Sequence, residues 1–310
     1  LVLDAINRAV PSLGQRRPVV LWDGYGEIGD HEHINCATED VSRVADYSVD
    51  ETLFIYACTQ DDLGAPFARA VHQLGGKYRP IRYANPCLYT NLDTVARRAL
   101  EAELDHQEAL GFAKWDYGPH DFIGLLQALN IAKSVEGAYV EVGCYRGSSA
   151  GAVLRYLGDK GWSRRCYFLD VFGGFDYAEA KASSDSAWVG THVTEGRDAI
   201  AERLRYYTDR APNLSVEVHK NNVISDDLPE GIGKIAVANL DVDLYEAVAA
   251  GLRKLAPRIA PGGVLVVEDP GHSPLLIGAR VALDEFLDED RPEVFIPVVM
   301  NSGQTYLIRR

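Results

Sequence analysis

The feature that most constrains this fold is an alternation of short apolar runs with longer helical stretches, which begins near residue 119. The apolar runs are typical of buried strands and read "AYVEVG", "RCYFLDVF", "LSVEVHK", "KIAVANLDVD" and "GGVLVVED". Helical stretches such as "SSAGAVLRYLGDKG" and "LYEAVAAGLRKLAPRIA" follow several of these strands. The alternation predicts an α/β fold with a doubly wound, mostly parallel, Rossmann-like sheet. The last two runs, "VFIPVV" and "TYLIRR", are joined by the short "MNSGQ", which predicts an antiparallel C-terminal hairpin.

The first 110 residues carry a smaller pattern of the same kind. Strands are predicted at "RPVVLWD", "ETLFIYACT" and "YRPIRYA", with a helix at "GAPFARAVHQLGG" before the third strand. The run "LDTVARRALEAELDHQEAL" contains strong helix formers and is interpreted as a helical linker. We therefore predict a small N-terminal α/β accessory domain over residues 1–110 and a larger domain over residues 111–310. The accessory domain would either shape the substrate site or form the contact of a homo-oligomer.

The composition narrows the class of partner. A formal net charge of −14 opposes binding to nucleic acid, because phosphate backbones require a cationic surface. No apolar run approaches the roughly 20 residues of a membrane helix, and "LVLDAINRAV" does not resemble a signal peptide. The five cysteines include no C-x-x-C pair and indicate no disulfide framework. We therefore predict a cytoplasmic protein that binds a small molecule, and neither nucleic acid nor a membrane.

Two glycine-bearing loops compete for the role of nucleotide site. Residues Gly24–Gly29 match the dinucleotide pattern G-x-G-x-x-G and follow a predicted strand. The loop of a dinucleotide site must open a helix, but "DHEHINCATED" follows here, with four acids and no apolar stripe. Those acids would repel a pyrophosphate. We interpret Gly24–Gly29 as a tight turn, and keep an NAD-type enzyme that uses it as the alternative.

The second loop has the expected context, because "AYVEVG" is a strand and a helix of small residues follows "CYRGSS". The next strand ends in Asp170, where a carboxylate is placed to bind a ribose diol. Phe172 would pack on the adenosine, and Asn221 and Asn222 follow the strand whose loop reaches the adenine. An adenosine without a pyrophosphate predicts S-adenosylmethionine as the cofactor. The predicted cofactor-binding residues are Glu141, Gly143, Tyr145, Arg146, Gly147, Ser148, Ser149, Asp170, Phe172, Asn221, Asn222 and Asp241.

Acidic residues end two further strands, in "ANLDVD" and "VVED". Carboxyl ends of strands line the ligand crevice of a doubly wound sheet, and alternation places Asp241 and Asp243 on one side. Carboxylates that converge there would repel one another unless a cation lies among them, and oxygen ligands suit Mg²⁺. We therefore predict that Asp241, Glu268 and Asp269 bind Mg²⁺ or another divalent cation. The interpretation as ordinary surface and capping acids remains the alternative.

A general base would have to take a proton from an acceptor hydroxyl. The first candidate is Asp243, two residues beyond a predicted metal ligand. His272, just past the acidic pair, and His192 are the other predicted catalytic residues. His192 lies in the hydrophilic segment 176–196, which we expect to be a mobile lid over the substrate.

The motifs "GAYVEVGCYRGSSA", "YFLDVFGGF", "IAVANLDVDLYEAVAAGLRKLAPRIAPGGVLVVED" and "GARVALDEF" together resemble the TylF-type, macrocin O-methyltransferase-like family over about residues 115–310. The resemblance implies a class I S-adenosylmethionine-dependent methyltransferase that acts on hydroxyls of sugars and other natural products. It also implies that acids at 241, 268 and 269 hold a divalent metal, which binds two neighbouring substrate oxygens. Three positions depart from the family pattern. Glu268-Asp269 replaces Asp-Asp, Asn239 replaces an arginine, and Pro270-Gly271-His272 replaces an aromatic residue.

These observations predict a divalent-metal-assisted O-methyltransferase that transfers a methyl group from S-adenosylmethionine to a hydroxyl of a sugar or another small natural-product acceptor. Two alternatives stand beside it. One is the NAD-type enzyme that uses Gly24–Gly29, and the other is a non-catalytic S-adenosylmethionine-binding or assembly protein on the same scaffold.

Overall fold

The computed structural model describes residues 20–23, 37–40, 46, 54–58, 78–82, 93–112, 119–183, 188–271, 277–288, 294–300 and 302–310. The chain divides into two compact units, Leu1–Arg97 and Arg98–Arg310. The predicted domain limits at residues 110 and 111 stay a prediction. Within the described residues, no helix is long and apolar enough to span a bilayer.

The described strands of the first unit form two parallel pairs. One pair joins β1 (Val20–Asp23) to β2 (Ala37–Asp40), and the other joins β3 (Phe54–Cys58) to β4 (Tyr78–Arg82). β1, β3 and β4 lie within the three runs predicted as strands. The loop Gly24–Gly29 lies outside the described residues.

The second unit is built on a seven-stranded sheet in the order β10-β11-β9-β8-β5-β6-β7. Neighbouring strands are parallel except at β11, which is antiparallel to both β9 and β10. The predicted fold class is thereby confirmed, including the C-terminal hairpin. The strands are β5 (Ala138–Val142), β6 (Arg164–Asp170), β7 (Leu214–Lys220), β8 (Ile235–Leu240), β9 (Ile259–Val267), β10 (Phe295–Val299) and β11 (Thr305–Arg309).

Helices join these strands. They are α1 (Thr94–Ala109), α2 (Pro119–Ile131), α3 (Ser148–Lys160), α4 (Ala178–Ala182), α5 (Arg197–Thr208), α6 (Tyr245–Leu255) and α7 (Ile277–Asp288). The predicted extent of α6, to residue 260, is wrong. It ends at Leu255 because Pro257 has no N–H for the helix, and a short 3₁₀ turn, Ala256–Arg258, leads into β9.

The central strands are apolar and buried, which a parallel sheet covered on both faces requires. All residues of β5 and β8 are buried. At the edge of the sheet, by contrast, only Phe295 of β10 is buried. The carboxyl ends of β5, β6, β8 and β9 therefore meet along one edge of a rigid core, where loops can present side chains to a ligand.

Candidate active site

A cavity of about 870 Å³ lies at the carboxyl ends of β5, β6, β8 and β9. It gathers many of the residues that the sequence predicted. Those that line it are Gly143, Tyr145, Ser148, Ser149, Asp170, His192, Asn221, Asn222, Asp241, Asp243, Glu268 and Asp269. The predicted residues Glu141, Arg146, Gly147 and Phe172 do not line it. His272 lies outside the described residues.

The three predicted metal ligands form a compact cluster. One carboxylate oxygen each of Asp241, Glu268 and Asp269 lies within 4.8 Å of the other two. Their backbone N–H groups extend the sheet edge, with Asp241 donating to the Val142 carbonyl and Glu268 to the Leu240 carbonyl. Burial, and then the neighbouring carboxylates, raise the pKa values of Asp241 and Glu268. Three hard oxygen donors in a buried, mutually repelling group fit a divalent cation such as Mg²⁺.

Asp243 lies beside this cluster in the cavity. Its backbone N–H donates to Asp269 Oδ2 at 3.0 Å, and its φ of 59° is left-handed. Burial, and then Asp269 and Asp170, raise the pKa of Asp243. The structure places both Asp241 and Asp243 in the cavity, but strand alternation is not the reason. β8 ends at Leu240, and the turn after it directs both residues inward.

Asp170 fastens two loops to the end of β6. Its Oδ2 accepts a hydrogen bond from the Tyr145 N–H at 2.8 Å, and its Oδ1 accepts one from the Phe172 N–H at 2.6 Å. Burial raises the pKa of Asp170, while these two N–H donors oppose the increase. The Asp170 carboxylate lines the cavity at the end of β6, whereas the acidic cluster follows β8 and β9. β5 lies between β6 and β8 in the sheet, so Asp170 and the cluster are on opposite sides of β5.

Glu141 is fully buried beneath the loop between β5 and α3 rather than in the cavity. The hydroxyls of Tyr139 and Ser149 both donate to its carboxylate, the first at 2.6 Å. Burial raises the pKa of Glu141 to about 7, against the opposing effect of the two hydroxyl donors. Glu141 therefore holds the start of α3 to β5, and contacts the cavity-lining Ser149 without lining the cavity itself.

The loop between β5 and α3 passes close to the acidic cluster. Gly143 has a φ of 94°, and a Cβ at this position would clash with the Asp241 carbonyl. No larger residue fits there. The Ser148 hydroxyl, at the first residue of α3, is buried and has no hydrogen-bond partner. Ser148 is also one of the residues that line the cavity.

Arg146 turns away from the cavity. Its guanidinium donates to Glu195 at 2.9 Å and lies 4.5 Å from the centre of the Phe112 ring. Phe172 is buried, and its φ of 57° places its N–H on Asp170. Asn221 donates through Nδ2 to the Asp227 carbonyl, which leaves its buried Oδ1 without a partner.

Four cavity-lining residues form an aromatic wall, which we define as Tyr145, Phe175, Trp188 and His192. Trp188 and His192 belong to the predicted lid segment, 176–196. The His192 ring lies 5.3 Å from Tyr145, 5.1 Å from Phe175 and 5.8 Å from Trp188, measured between ring centres. His192 also has a left-handed φ, of 58°. Residues 184–187 lie outside the described residues, and the mobility of the segment stays a prediction.

Three polar residues stand out among the cavity-lining residues that the sequence did not predict. Asp121, on α2, lines the cavity, and its charge contributes to the raised pKa values of Asp241 and Glu268. Gln304 lines the same part, and its Nε2 donates to the Asp121 carbonyl at 3.2 Å. Asn239 also lines the cavity and is 1% exposed, and its side chain lies close enough to Glu141 to lower the pKa of that residue. Of these three, only Asn239 carried a readable signal, since it lies near the carboxyl end of a predicted strand, where ligand sites occur in such sheets.

Known proteins are similar to this chain in sequence and in fold. A family model described as Macrocin-O-methyltransferase (TylF) matches residues 124–298. A relative from Streptomyces olivaceus, 8-demethyl-8-(2,3-dimethoxy-alpha-L-rhamnosyl)-tetracenomycin-C 4'-O-methyltransferase, is 31% identical over 183 residues, which cover 54% of this chain and 69% of the relative.

Two solved structures show the same fold. The O-methyltransferase NovP has a TM-score of 0.50 and 21% identity, over 62% of this chain and 80% of NovP. The calicheamicin methyltransferase CalS11 has a TM-score of 0.50 and 18% identity, over 69% of this chain and 91% of CalS11. At these identities the likeness concerns the architecture of the sheet and its helices.

Proposed function

Since this chain belongs to the macrocin O-methyltransferase (TylF) family, and is therefore an O-methyltransferase, we propose that it uses S-adenosylmethionine and a divalent cation to methylate a hydroxyl of a sugar or other natural product. One observation carries the proposal. The carboxylates of Asp241, Glu268 and Asp269 converge within 4.8 Å in the same cavity that the loop between β5 and α3 lines. Cofactor and metal sites would thus share one wall.

The cofactor residues fit S-adenosylmethionine by their chemistry. Asp170 would accept hydrogen bonds from ribose hydroxyls, and the acidic cavity suits a positively charged sulfur. The partnerless Ser148 hydroxyl and the N-terminus of α3 suit the carboxylate of the methionine end. When bound, S-adenosylmethionine supplies an electrophilic methyl group. The protein's contribution is to hold that group in line with the acceptor oxygen, so that positioning provides much of the rate.

The metal residues would be Asp241, Glu268 and Asp269. A bound divalent cation lowers the pKa of an attached hydroxyl and fixes its orientation. Asp243 is the favoured base, because its backbone N–H is tied to Asp269 and its side chain lies in the cavity. His192 is the second candidate, held in the aromatic wall. His272 remains a predicted alternative base.

The acceptor is best described as neutral and hydroxyl-rich. Six of the described cavity-lining residues are Asp or Glu, and among those described residues none is Lys or Arg. A phosphorylated acceptor would meet repulsion there that a single divalent cation only partly offsets. The aromatic wall offers flat apolar surface to a sugar ring or an aromatic aglycone. The Streptomyces relative is named for 4'-O-methylation of a rhamnosyl tetracenomycin, which agrees with this class.

The test is methyl transfer from S-adenosylmethionine to a panel of neutral glycosides that carry neighbouring hydroxyls. We expect turnover that EDTA abolishes and Mg²⁺ restores. Undiminished turnover after exhaustive chelation would remove the cation from the mechanism. Asp243→Asn should lower kcat by about 10²–10⁴-fold with unchanged S-adenosylhomocysteine affinity. Its matched control is Asp284→Asn, which alters an exposed acid paired with Arg280 on α7.

Thermal shift separates the alternatives, because a ligand stabilises the fold that it binds. We expect stabilisation by S-adenosylhomocysteine and none by NAD. Stabilisation by NAD alone would favour the NAD-type enzyme. Binding of S-adenosylhomocysteine without transfer to any acceptor would favour a non-catalytic role.

A further inference from the structure

A buried polar network joins α1 to the start of α3, and its α1 members lie outside the residues that the family model matches. Its centre is Gln107, which is 1% exposed. Gln107 Nε2 donates to Glu103 Oε1 at 2.8 Å and to the Ser148 carbonyl, also at 2.8 Å. The sequence had assigned α1 to a linker, yet this contact reaches the first residue of the helix beside the cavity.

Residues of α3 and α5 also bind this network, through Glu103. Glu103 accepts hydrogen bonds from the Tyr207 hydroxyl at 2.5 Å and from Arg155 Nε at 2.9 Å, and its side chain is fully buried. Gly151 of α3 faces these groups, and a Cβ there would clash with the side chains of Glu103 and Tyr207. Because Gly151 has no side chain, α3 packs closely against Glu103 of α1. This close packing fixes the position of Gln107, one turn further along α1.

Ser148 gives this contact its significance. The residue lines the cavity, its buried side-chain hydroxyl has no hydrogen-bond partner, and its carbonyl accepts a hydrogen bond from Gln107. The next residue, Ser149, is held through its hydroxyl by Glu141. The first turn of α3 is thus fastened from both sides, by β5 through Glu141 and by α1 through Gln107.

Phe112, just beyond α1, makes a second contact with the same loop. The guanidinium groups of Arg146 and Arg203 lie 4.5 Å and 4.9 Å from the centre of its ring. Arg203 also donates to the Arg146 carbonyl at 2.6 Å. Two residues of the segment 98–112 therefore hold the region between β5 and α3: Gln107 binds Ser148, and Phe112 packs against Arg146.

We infer that the segment 98–112 supports the cofactor site from behind, and that Gln107 is a positioning residue that holds Ser148 where the cofactor's methionine end binds. The inference rests on the proposed function. Its specific claim is that the donor N–H of Gln107, rather than the bulk of the side chain, is what the site requires. Gln107 Oε1 has no hydrogen-bond partner, so a donor alone can replace the amide.

The experiment compares three variants by S-adenosylhomocysteine affinity, measured calorimetrically well below each melting temperature. Gln107→Met keeps the size but loses the donor, and should weaken binding about five- to tenfold. Gln107→Lys restores a donor and should recover most of that loss. Tyr207→Phe removes a bond from the same network without touching Ser148. It should lower the melting temperature but leave the affinity within about twofold.

Results that would overturn the role of Gln107 differ from results that would overturn the proposed function. Wild-type affinity in Gln107→Met, an equal loss in Gln107→Lys, or an equal loss in Tyr207→Phe would each overturn the positioning role. Should Gln107→Met fail to fold, Gln107→Asn replaces it in the test. Its side chain is one methylene shorter, so the amide N–H lies further from the Ser148 carbonyl, and S-adenosylhomocysteine binding should again be weaker than in the wild type. In active variants the KM for S-adenosylmethionine should rise while the acceptor KM does not. Failure of the wild-type protein to bind S-adenosylhomocysteine would instead overturn the proposed function.

Discussion

Two regions of the described chain contain buried carboxylates in opposite surroundings: in one the carboxylate is paired with donors, and in the other the carboxylates face one another. Glu103 is fully buried and is met by Arg155, Tyr207 and Gln107, so that both of its oxygens accept hydrogen bonds from donors on neighbouring helices. In the acidic cluster, Asp241, Glu268 and Asp269 face one another, and their mutual repulsion adds to burial in raising the pKa values of Asp241 and Glu268.

The difference separates a structural carboxylate from a binding one. A buried charge that is paired and hydrogen-bonded supports the fold, whereas several buried like charges destabilise it until a cation binds. The cluster is thus a place where stability is given up for ligand binding. Substitutions in the two regions should therefore change stability with opposite signs.

The largest effect is expected from Asp241→Asn. It removes one candidate metal ligand, and turnover should fall by about 10³-fold or more, which corresponds to about 4 kcal/mol of transition-state stabilisation. In EDTA the same variant should be more stable than the wild type, by about 1 kcal/mol, because repulsion is relieved. Chemical denaturation in EDTA and in Mg²⁺ measures both states. Lower stability in EDTA would contradict the comparison.

Glu103→Leu should have the reverse signature. It leaves Arg155 without its buried partner and should lower the free energy of unfolding by about 3–5 kcal/mol. Urea denaturation measures the loss. The matched control is Glu202→Leu, which breaks an exposed pair with Arg205 and should cost less than about 1 kcal/mol. Equal losses in both variants would mean that burial of the Glu103 network adds nothing.

Glu141 is an intermediate case, since it is buried and accepts hydrogen bonds from two hydroxyl groups rather than from a cation. Its pKa is about 7 in the folded protein against an ordinary value of 4.5. Between these values the folded protein keeps a proton that the unfolded chain has released, so this residue lowers stability as pH rises from 4.5 to 7. The change is about 3 kcal/mol. The stability difference between wild type and Glu141→Gln, measured across that range, should show this slope.

Gly151→Ala should have the smallest effect, a loss of about 1–3 kcal/mol, because the added methyl group meets Glu103 and Tyr207. Thermal denaturation checks the loss. Gly173→Ala is the control, since the nearest neighbour of its added Cβ lies at 3.9 Å. If Gly151→Ala is tolerated as well as the control, α1 is not held rigidly against α3.

Sequence pattern predicted most of the sheet and the convergence of acids at its edge. β7 begins and ends at the predicted residues, and the acids after β8 and β9 meet because parallel strands end at one edge. Those inferences need only periodicity and topology. Asp121 was missed because an acid in the first turn of a helix is ordinary, and its partners are more than 100 residues away in the sequence.

The Glu103 network was missed for a related reason. Its members are polar residues on three helices, and a polar residue on a helix is usually interpreted as solvent-exposed. Nothing in "LEAELDHQEAL" indicates that Tyr207 and Arg155 lie against it. Arg146 was expected in the cofactor site for its place in the loop, but Glu195 and Phe112 draw its side chain outward.

Four non-glycine residues of the described chain have left-handed backbones, and all four lie in the cavity wall or directly behind it: Tyr145, Phe172, His192 and Asp243. This has a consequence for protein engineering. Glycine would relieve roughly 1 kcal/mol of backbone strain at each position, against the greater chain entropy that it brings to the unfolded state. At Phe172 the loss of a buried ring outweighs that relief, whereas at Asp243 the substitution also removes a carboxylate that Asp269 and Asp170 repel. A directed-evolution campaign that selects for heat resistance alone would therefore be drawn towards Asp243. It would then lose the candidate base, so activity has to be part of the selection from the first round.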